Sequence, residues 1–168
     1  MEEFVKKMEE KAKHFEKLIQ KDKEELAQVE EELRKKKAEL SQIEEEILAL
    51  QKEIKEHEHK IHEVLNKLKR VQKATLQAQT QREIEMLERD RAVLLRELRE
   101  HEERLAQLKE RYEELTTKEF KLLDEELELE EKQNRLLHEK EVLLRRLEHL
   151  LSQMQKRIDQ FRQNFNLQ

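Results

Sequence analysis

The residues that this sequence lacks already limit its fold. None of its 168 residues is glycine, proline, cysteine or tryptophan, and aromatic residues make up only 4%. Without cysteine the chain has no disulfide bond and no thiolate ligand for a metal. Without glycine it has no phosphate-cradling loop, and without glycine and proline it lacks the common turn residues of β domains. Disulfide-stabilised folds, zinc ribbons, nucleotide-binding loops and compact β domains are therefore excluded.

Long apolar segments are also missing. Charged residues make up 46% of the chain, the formal net charge is −5, and no segment approaches a signal-peptide core or a membrane span in length. The first residues, Met1, Glu2 and Glu3, are acidic, whereas an export signal begins with positive charge. We therefore expect a soluble, cytoplasmic protein without a transmembrane segment.

The many carboxylates do not predict an enzyme. They recur four residues before a lysine, as in Glu2/Lys6 and Glu3/Lys7, which is typical of an exposed helix face stabilised by ion pairs. Such a face offers no concave pocket that could shift a pKa or hold a substrate. The sequence predicts a non-enzymatic protein with no catalytic residue, no cofactor and no metal site.

Two seven-residue apolar repeats fill the chain. The first runs from Val5 to Ala78, and eighteen of its 22 a and d positions are apolar. The second begins at Ile84 and ends near Phe161, with leucine at almost every d position and several polar residues at a. This spacing is the signature of a helix that packs a narrow stripe against another helix, and the alternation of a strand is absent.

A change of phase separates the two repeats. The first repeat would place its next a residue at position 82, but the pattern resumes at Ile84. Two extra residues turn the stripe by roughly 200°, half a revolution, which a continuous coiled coil does not absorb. We predict an all-α, antiparallel two-helix coiled-coil hairpin, a rod of about 115–125 Å. Residues 1–168 form one domain, with helix 1 at about 2–78, the turn near 79–83 and helix 2 at about 84–166.

Polar residues within the stripes predict the alignment of the two helices. If facing residue numbers sum to 162, Lys36 lies opposite Glu126 and Asp22 lies opposite Lys140, so each charge meets its opposite. A parallel dimer would place like charges on each other. We therefore expect Asp22, Lys36, Glu126 and Lys140 to set the register. Glu119 and Gln133 would face apolar residues in this alignment.

Charge is concentrated at the predicted turn. Residues 65–82 contain no acidic residue and five basic ones, which are Lys67, Lys69, Arg70, Lys73 and Arg82. Such a basic tip can contact an acidic protein surface, a membrane surface or nucleic acid, or it can be a solvated turn. Because the tip lacks aromatic residues for base stacking, nucleic acid is the least favoured partner.

The opposite end of the hairpin is apolar. Phe4, Phe15, Phe161 and Phe165 map there, and Phe165 and Leu167 extend beyond the residue that faces Met1. These side chains either hold the two termini together or contact another chain. Phe161, Phe165 and Leu167 are therefore a second candidate partner-binding surface, and a homodimer of hairpins is compatible with it.

Two histidines, His57 and His101, occupy adjacent layers of the predicted seam. One interpretation is that they are tolerated as amphipathic seam residues. The other is a pH-sensitive weak point, because two charged imidazoles in neighbouring layers would repel each other.

The glycine-free, charged antiparallel hairpin resembles the stalk proteins of flagellar and type III export ATPases and the hairpin of coiled-coil proteins that carry a zinc ribbon. The resemblance is one of architecture, and it implies a stalk-like regulator of an oligomeric ATPase. The residues themselves predict a scaffold, adaptor or spacer for protein–protein interaction through the basic tip and the apolar end. A module that binds a membrane surface or a filament through the tip is a further alternative.

Overall fold

The computed structural model describes the backbone of residues 2–167 and the side chains of residues 2–165. It consists of helix α1, Glu2–Gln77, and helix α2, Gln81–Leu167, which pack against each other. No strand is present in the described residues. The predicted all-α helical hairpin is confirmed.

The chain reverses direction within three residues, 78–80, so α2 begins earlier than the predicted residue 84. The cause is a capping box formed by residues that the repeat pattern assigns to the turn. The Thr80 hydroxyl accepts a hydrogen bond from the Glu83 N–H at 3.2 Å, and the Gln79 N–H donates to the Glu83 carboxylate at 3.2 Å. Thr80 thus satisfies one free N–H of the first turn of α2, and the Glu83 carboxylate reaches back to the residue before this cap. No residue of the described chain has a positive φ, so this reversal requires no glycine.

The packing divides the chain into two compact units, each containing part of both helices. The terminal unit comprises Met1–Ala38 with Leu123–Gln168, and the tip unit comprises Glu39–Leu122. In the terminal unit a core of Leu26, Val29, Leu33 and Leu136 is buried against Leu129. In the tip unit the core consists of Leu40, Ile43, Ile47, Leu115 and Leu122, with Leu50 and Tyr112 against it.

Both cores follow the predicted register. Leu26 and Leu136 share one core, and Ile47 and Leu115 share the other; in both pairs the residue numbers sum to 162. In the tip unit three ion pairs join α1 to α2 on the two edges of the seam, namely Glu46–Arg111 at 3.7 Å, Glu53–Arg104 at 3.6 Å and Glu58–Lys109 at 3.9 Å. These are g–g and e–e pairs, the edge contacts of an antiparallel helix pair.

Candidate partner-binding surfaces

The tip surface consists of the five predicted basic residues. Lys67, Lys69, Arg70 and Lys73 lie in the last three turns of α1, Arg82 lies in the first turn of α2, and all five are exposed. Within the described chain, none of them has a carboxylate within 4.0 Å. Their charges are therefore available to a partner.

An open groove of about 380 Å³ lies beside these cations. Its walls come from both helices and combine charge with apolar surface: Lys67, Arg70, Val71, Asp90, Val93 and Leu94. Val93 is 51% exposed. The heptad pattern does not reveal this groove, because Val93 is at neither an a nor a d position of the repeat.

Leu76 is a second apolar feature of the tip. It lies two residues before the reversal and is 82% exposed, more than any other exposed large apolar side chain of the described residues. Leu76 is at a b position of the repeat, where this sequence mostly has charged and polar residues. This unusual position is the signal in the sequence that could have identified Leu76. The tip is therefore both basic and apolar.

The open end of the terminal unit has exposed aromatic residues. Phe161 is 50% exposed and Phe165 is 71% exposed. Phe4 is half-buried, and the Arg157 guanidinium carbon lies 4.9 Å from the centre of its ring, in range for a cation–π contact. This contact joins α1 to α2, so Phe4 holds the end together while Phe161 and Phe165 leave apolar surface exposed. The side chain of Leu167 lies outside the described residues.

The predicted ion pair of Lys36 differs from the observed one. The Lys36 ammonium binds Glu125 at 2.6 Å, whereas Glu126 was the predicted partner. Glu126 is at an a position, which faces the seam, and Glu125 is at the flanking g position. A lysine side chain is long enough to leave the seam and place its charge at this wetter edge, where both side chains are about one-third exposed.

The prediction for Asp22 is also wrong in its partner. Asp22 is buried at 5% exposure, and one of its carboxylate oxygens has no hydrogen-bond partner. Within the described residues it forms no ion pair with Lys140, which is half-buried. The register can place two residues opposite each other, but the lysine gains more by extending toward solvent. Asp22 is left as a polar group within an apolar core.

The seam histidines contact each other directly. The Nδ1 atoms of His57 and His101 are 3.1 Å apart, so one ring donates a hydrogen bond to the other. Burial in the seam lowers the pKa of His57 below its usual 6.5, His101, Lys60 and Arg104 lower this pKa further, and Glu53 partly offsets them. The hydrogen bond needs one Nδ1 without a proton as its acceptor, so it cannot form when both rings are charged.

The described part of the chain contains neither a cluster of metal-ligating side chains nor a helix that could cross a membrane. Residues 2–165 contain no cluster of three or more histidine, aspartate or glutamate side chains that could hold a metal ion. In the described helices, no window is apolar enough over a sufficient length to cross a membrane.

Comparison with known proteins identifies a fold relative. The HP0958 protein from Helicobacter pylori, solved at 2.2 Å, is similar to this chain with a TM-score of 0.63 over 88% of this chain and 67% of that protein. The two sequences are 18% identical. No protein-family profile and no curated protein sequence matches the chain. At this identity the likeness establishes the shared helical hairpin fold and nothing about activity.

Proposed function

We propose that this chain is a non-enzymatic, intracellular coiled-coil adaptor that binds a protein partner through its tip. The observation that carries the proposal is the combination of the tip surface with the adjacent groove. Five exposed cations have no carboxylate within ion-pairing distance in the described chain. The groove beside them is lined by three apolar residues, two cations and one carboxylate, namely Val71, Val93, Leu94, Lys67, Arg70 and Asp90.

The chemistry of the groove favours an acidic protein segment that contains an apolar residue. Lys67 and Arg70 can bind carboxylates at the rim while Val93 accepts an apolar side chain. Arg82 supports the same interpretation, because a positive charge in the first turn of a helix is unfavourable for the helix itself. Leu76 adds exposed apolar area that a bound protein partner would bury.

The open end supplies the second contact that an adaptor needs. Phe161 and Phe165 lie in the terminal unit, whereas the tip surface lies in the tip unit, so the two surfaces do not share residues. Exposed phenylalanines favour an apolar partner, in contrast to the acidic partner of the tip. Two surfaces of different chemistry can bind two different proteins.

Proximity labelling and pulldown with matched variants test the proposal. The tip variant carries Lys67→Gln, Lys69→Gln, Arg70→Gln and Lys73→Gln. The control variant makes the same charge change at four exposed lysines of the terminal unit, with Lys6→Gln, Lys13→Gln, Lys17→Gln and Lys23→Gln. Because all eight positions are exposed, helicity and melting temperature should stay nearly unchanged.

The expected result is a set of proteins that wild type and control variant retain and the tip variant loses, with captured amounts that fall as salt rises. Retention of all partners by the tip variant, together with their loss after Phe161→Ser and Phe165→Ser, would assign binding to the open end. Salt-sensitive pelleting with anionic liposomes or with filaments would instead support a membrane-surface or filament-binding module. Stimulation of an ATPase ring would support a stalk-like regulator.

A further inference from the structure

The terminal unit has an apolar stripe that does not face α1. It consists of Leu123, Leu127, Leu137, Leu144 and Leu151 of α2, which are 38%, 57%, 48%, 38% and 45% exposed. We call it the leucine stripe. Four of its members follow a seam leucine directly and recur at multiples of seven residues, so they are e positions of the repeat. Helix α2 thus has two adjacent apolar faces, and α1 covers one of them.

Helix α1 offers nothing apolar to cover the second face. In the register of the cores, the e positions of α1 nearest to Leu137, Leu144 and Leu151 are Glu30, Lys23 and Glu16, all exposed and charged. Isolated leucines are common on surfaces, but five on one helix face, most of them at heptad spacing, match the pattern of a helix that contacts a further helix.

The charges on either side of the stripe specify its occupant. Residues 123–131 of α2 contain six acidic residues and no basic one, whereas residues 143–151, at the same distance on the other side of Leu137, contain two arginines and one glutamate. The α1 segments of the same unit that face them do not remove this difference, since 31–38 carries four basic and two acidic residues and 11–19 carries three lysines and one glutamate. The stripe is therefore acidic at one end and basic at the other.

We propose that the leucine stripe is a homodimer interface, at which a second copy of this chain docks with its own stripe antiparallel. A twofold axis near Leu137 places Leu123 of one copy beside Leu151 of the other and the acidic segment beside the basic one. A parallel dimer would set the six acidic residues of one copy against those of the other. The charge pattern thus favours a second copy in one orientation.

Sedimentation equilibrium over a wide concentration range tests the interface. Leu137→Glu with Leu144→Glu should raise the dissociation constant of the dimer by at least about tenfold, because it places charges within the buried stripe. Glutamate is a good helix former, so the fold should persist, and circular dichroism checks this. Leu137→Gln with Leu144→Gln repeats the test without added charge. The control is Leu48→Glu, an exposed leucine of the tip unit at 66% exposure, which should leave the dissociation constant unchanged.

Disulfide trapping tests the orientation, since the chain has no cysteine of its own. Leu137→Cys should crosslink with itself. Leu123→Cys and Leu151→Cys should each crosslink poorly alone and efficiently when mixed. Efficient self-crosslinking of Leu123→Cys would show a parallel dimer and overturn the proposed interface. A wild type that stays monomeric at all concentrations, or a stripe variant that dimerises like Leu48→Glu, would overturn it as well. The tip variant described above should dimerise normally, so this result is independent of the proposed function.

Discussion

The two units use the same heptad seam but differ at its edges. In the tip unit, cation–carboxylate pairs such as Glu53–Arg104 bridge the helices on both edges, and the polar seam residues His57 and His101 bind each other. In the terminal unit, Asp22 is buried with an unpartnered oxygen, and one edge carries exposed leucines of α2. The a and d residues therefore build the helix pair, whereas the e and g residues decide whether that pair is closed or can accept a further helix.

The largest effects are expected from the two cores. Leu115 of the tip unit is 2% exposed and Leu136 of the terminal unit is 7% exposed. Replacing either with alanine should lower the free energy of unfolding by about 2–5 kcal/mol through lost burial and an unfilled cavity. Hydrogen exchange should then accelerate mainly in the tip unit for Leu115→Ala and mainly in the terminal unit for Leu136→Ala.

The control for this experiment is Phe120→Ala, since Phe120 is 63% exposed and its replacement should change stability by less than about 0.5 kcal/mol. Equal acceleration of exchange throughout the chain in both core variants would show that the hairpin opens as one cooperative structure, and the distinction between the units would have no energetic meaning.

A smaller effect of opposite sign is expected at Asp22. Its replacement by leucine removes a buried, unpartnered carboxylate oxygen from the terminal core and adds apolar burial, so Asp22→Leu should raise the free energy of unfolding by about 1–3 kcal/mol. Asp22→Asn is the matched control, because it keeps the shape and the polarity and should gain much less. Chemical denaturation measures both. Destabilisation by Asp22→Leu would mean that Asp22 is paired with Lys140 in solution, as the sequence alone suggested.

Most of the fold could be predicted from the sequence, because the pattern that specifies it is repeated many times. A shift of register would misplace every layer at once, so Leu26 with Leu136 and Ile47 with Leu115 are fixed by the whole repeat and not by local detail. The reversal was placed near the correct residues for the same reason, but its length depends on one capping box at Thr80 and Glu83.

The partners of individual polar residues could not be predicted in the same way. A facing position fixes the Cα atom and not the end of a long side chain, so Lys36 binds Glu125 at the edge of the seam. The groove at Val93 and the leucine stripe were not predicted from the sequence. The heptad pattern concerns only the a and d positions, and the remaining positions were assumed to be solvated. The basic tip could be found from composition, since residues 65–82 contain no acidic residue, and all five of its cations are exposed. Their role in partner binding stays a prediction.

A smaller effect is expected from the ion pair between Lys36 and Glu125, for which the seam positions predict Glu126 as the partner. In double-mutant cycles, Lys36→Ala should couple to Glu125→Ala by about 0.5–1 kcal/mol, because both side chains are about one-third exposed and screened by solvent. The coupling to Glu126→Ala should be close to zero. Correspondingly, Lys36→Glu should be rescued by Glu125→Lys and not by Glu126→Lys. A stronger coupling to Glu126 in thermal or chemical denaturation would restore the partner that the seam positions suggested.

The smallest effect is expected from the seam histidines of the tip unit. Because burial and its cationic neighbours lower the pKa of His57 in the folded chain, the unfolded chain binds a proton first as the pH falls below 6.5. The contribution of neutral His57 to the free energy of unfolding should therefore be fully present above pH 6.5. It should decrease as the pH falls below that value, until His57 is protonated in the folded chain too. Melting temperatures measured between pH 5 and pH 8, expected to shift less than in the Lys36 variants, test this. His57→Leu with His101→Leu should flatten the profile, whereas His62→Leu, which removes an exposed imidazole outside the seam, should leave it unchanged. If the double variant keeps the wild-type profile, the acid sensitivity arises from carboxylates along the helix faces, and the tip unit is no more sensitive to pH than the terminal unit.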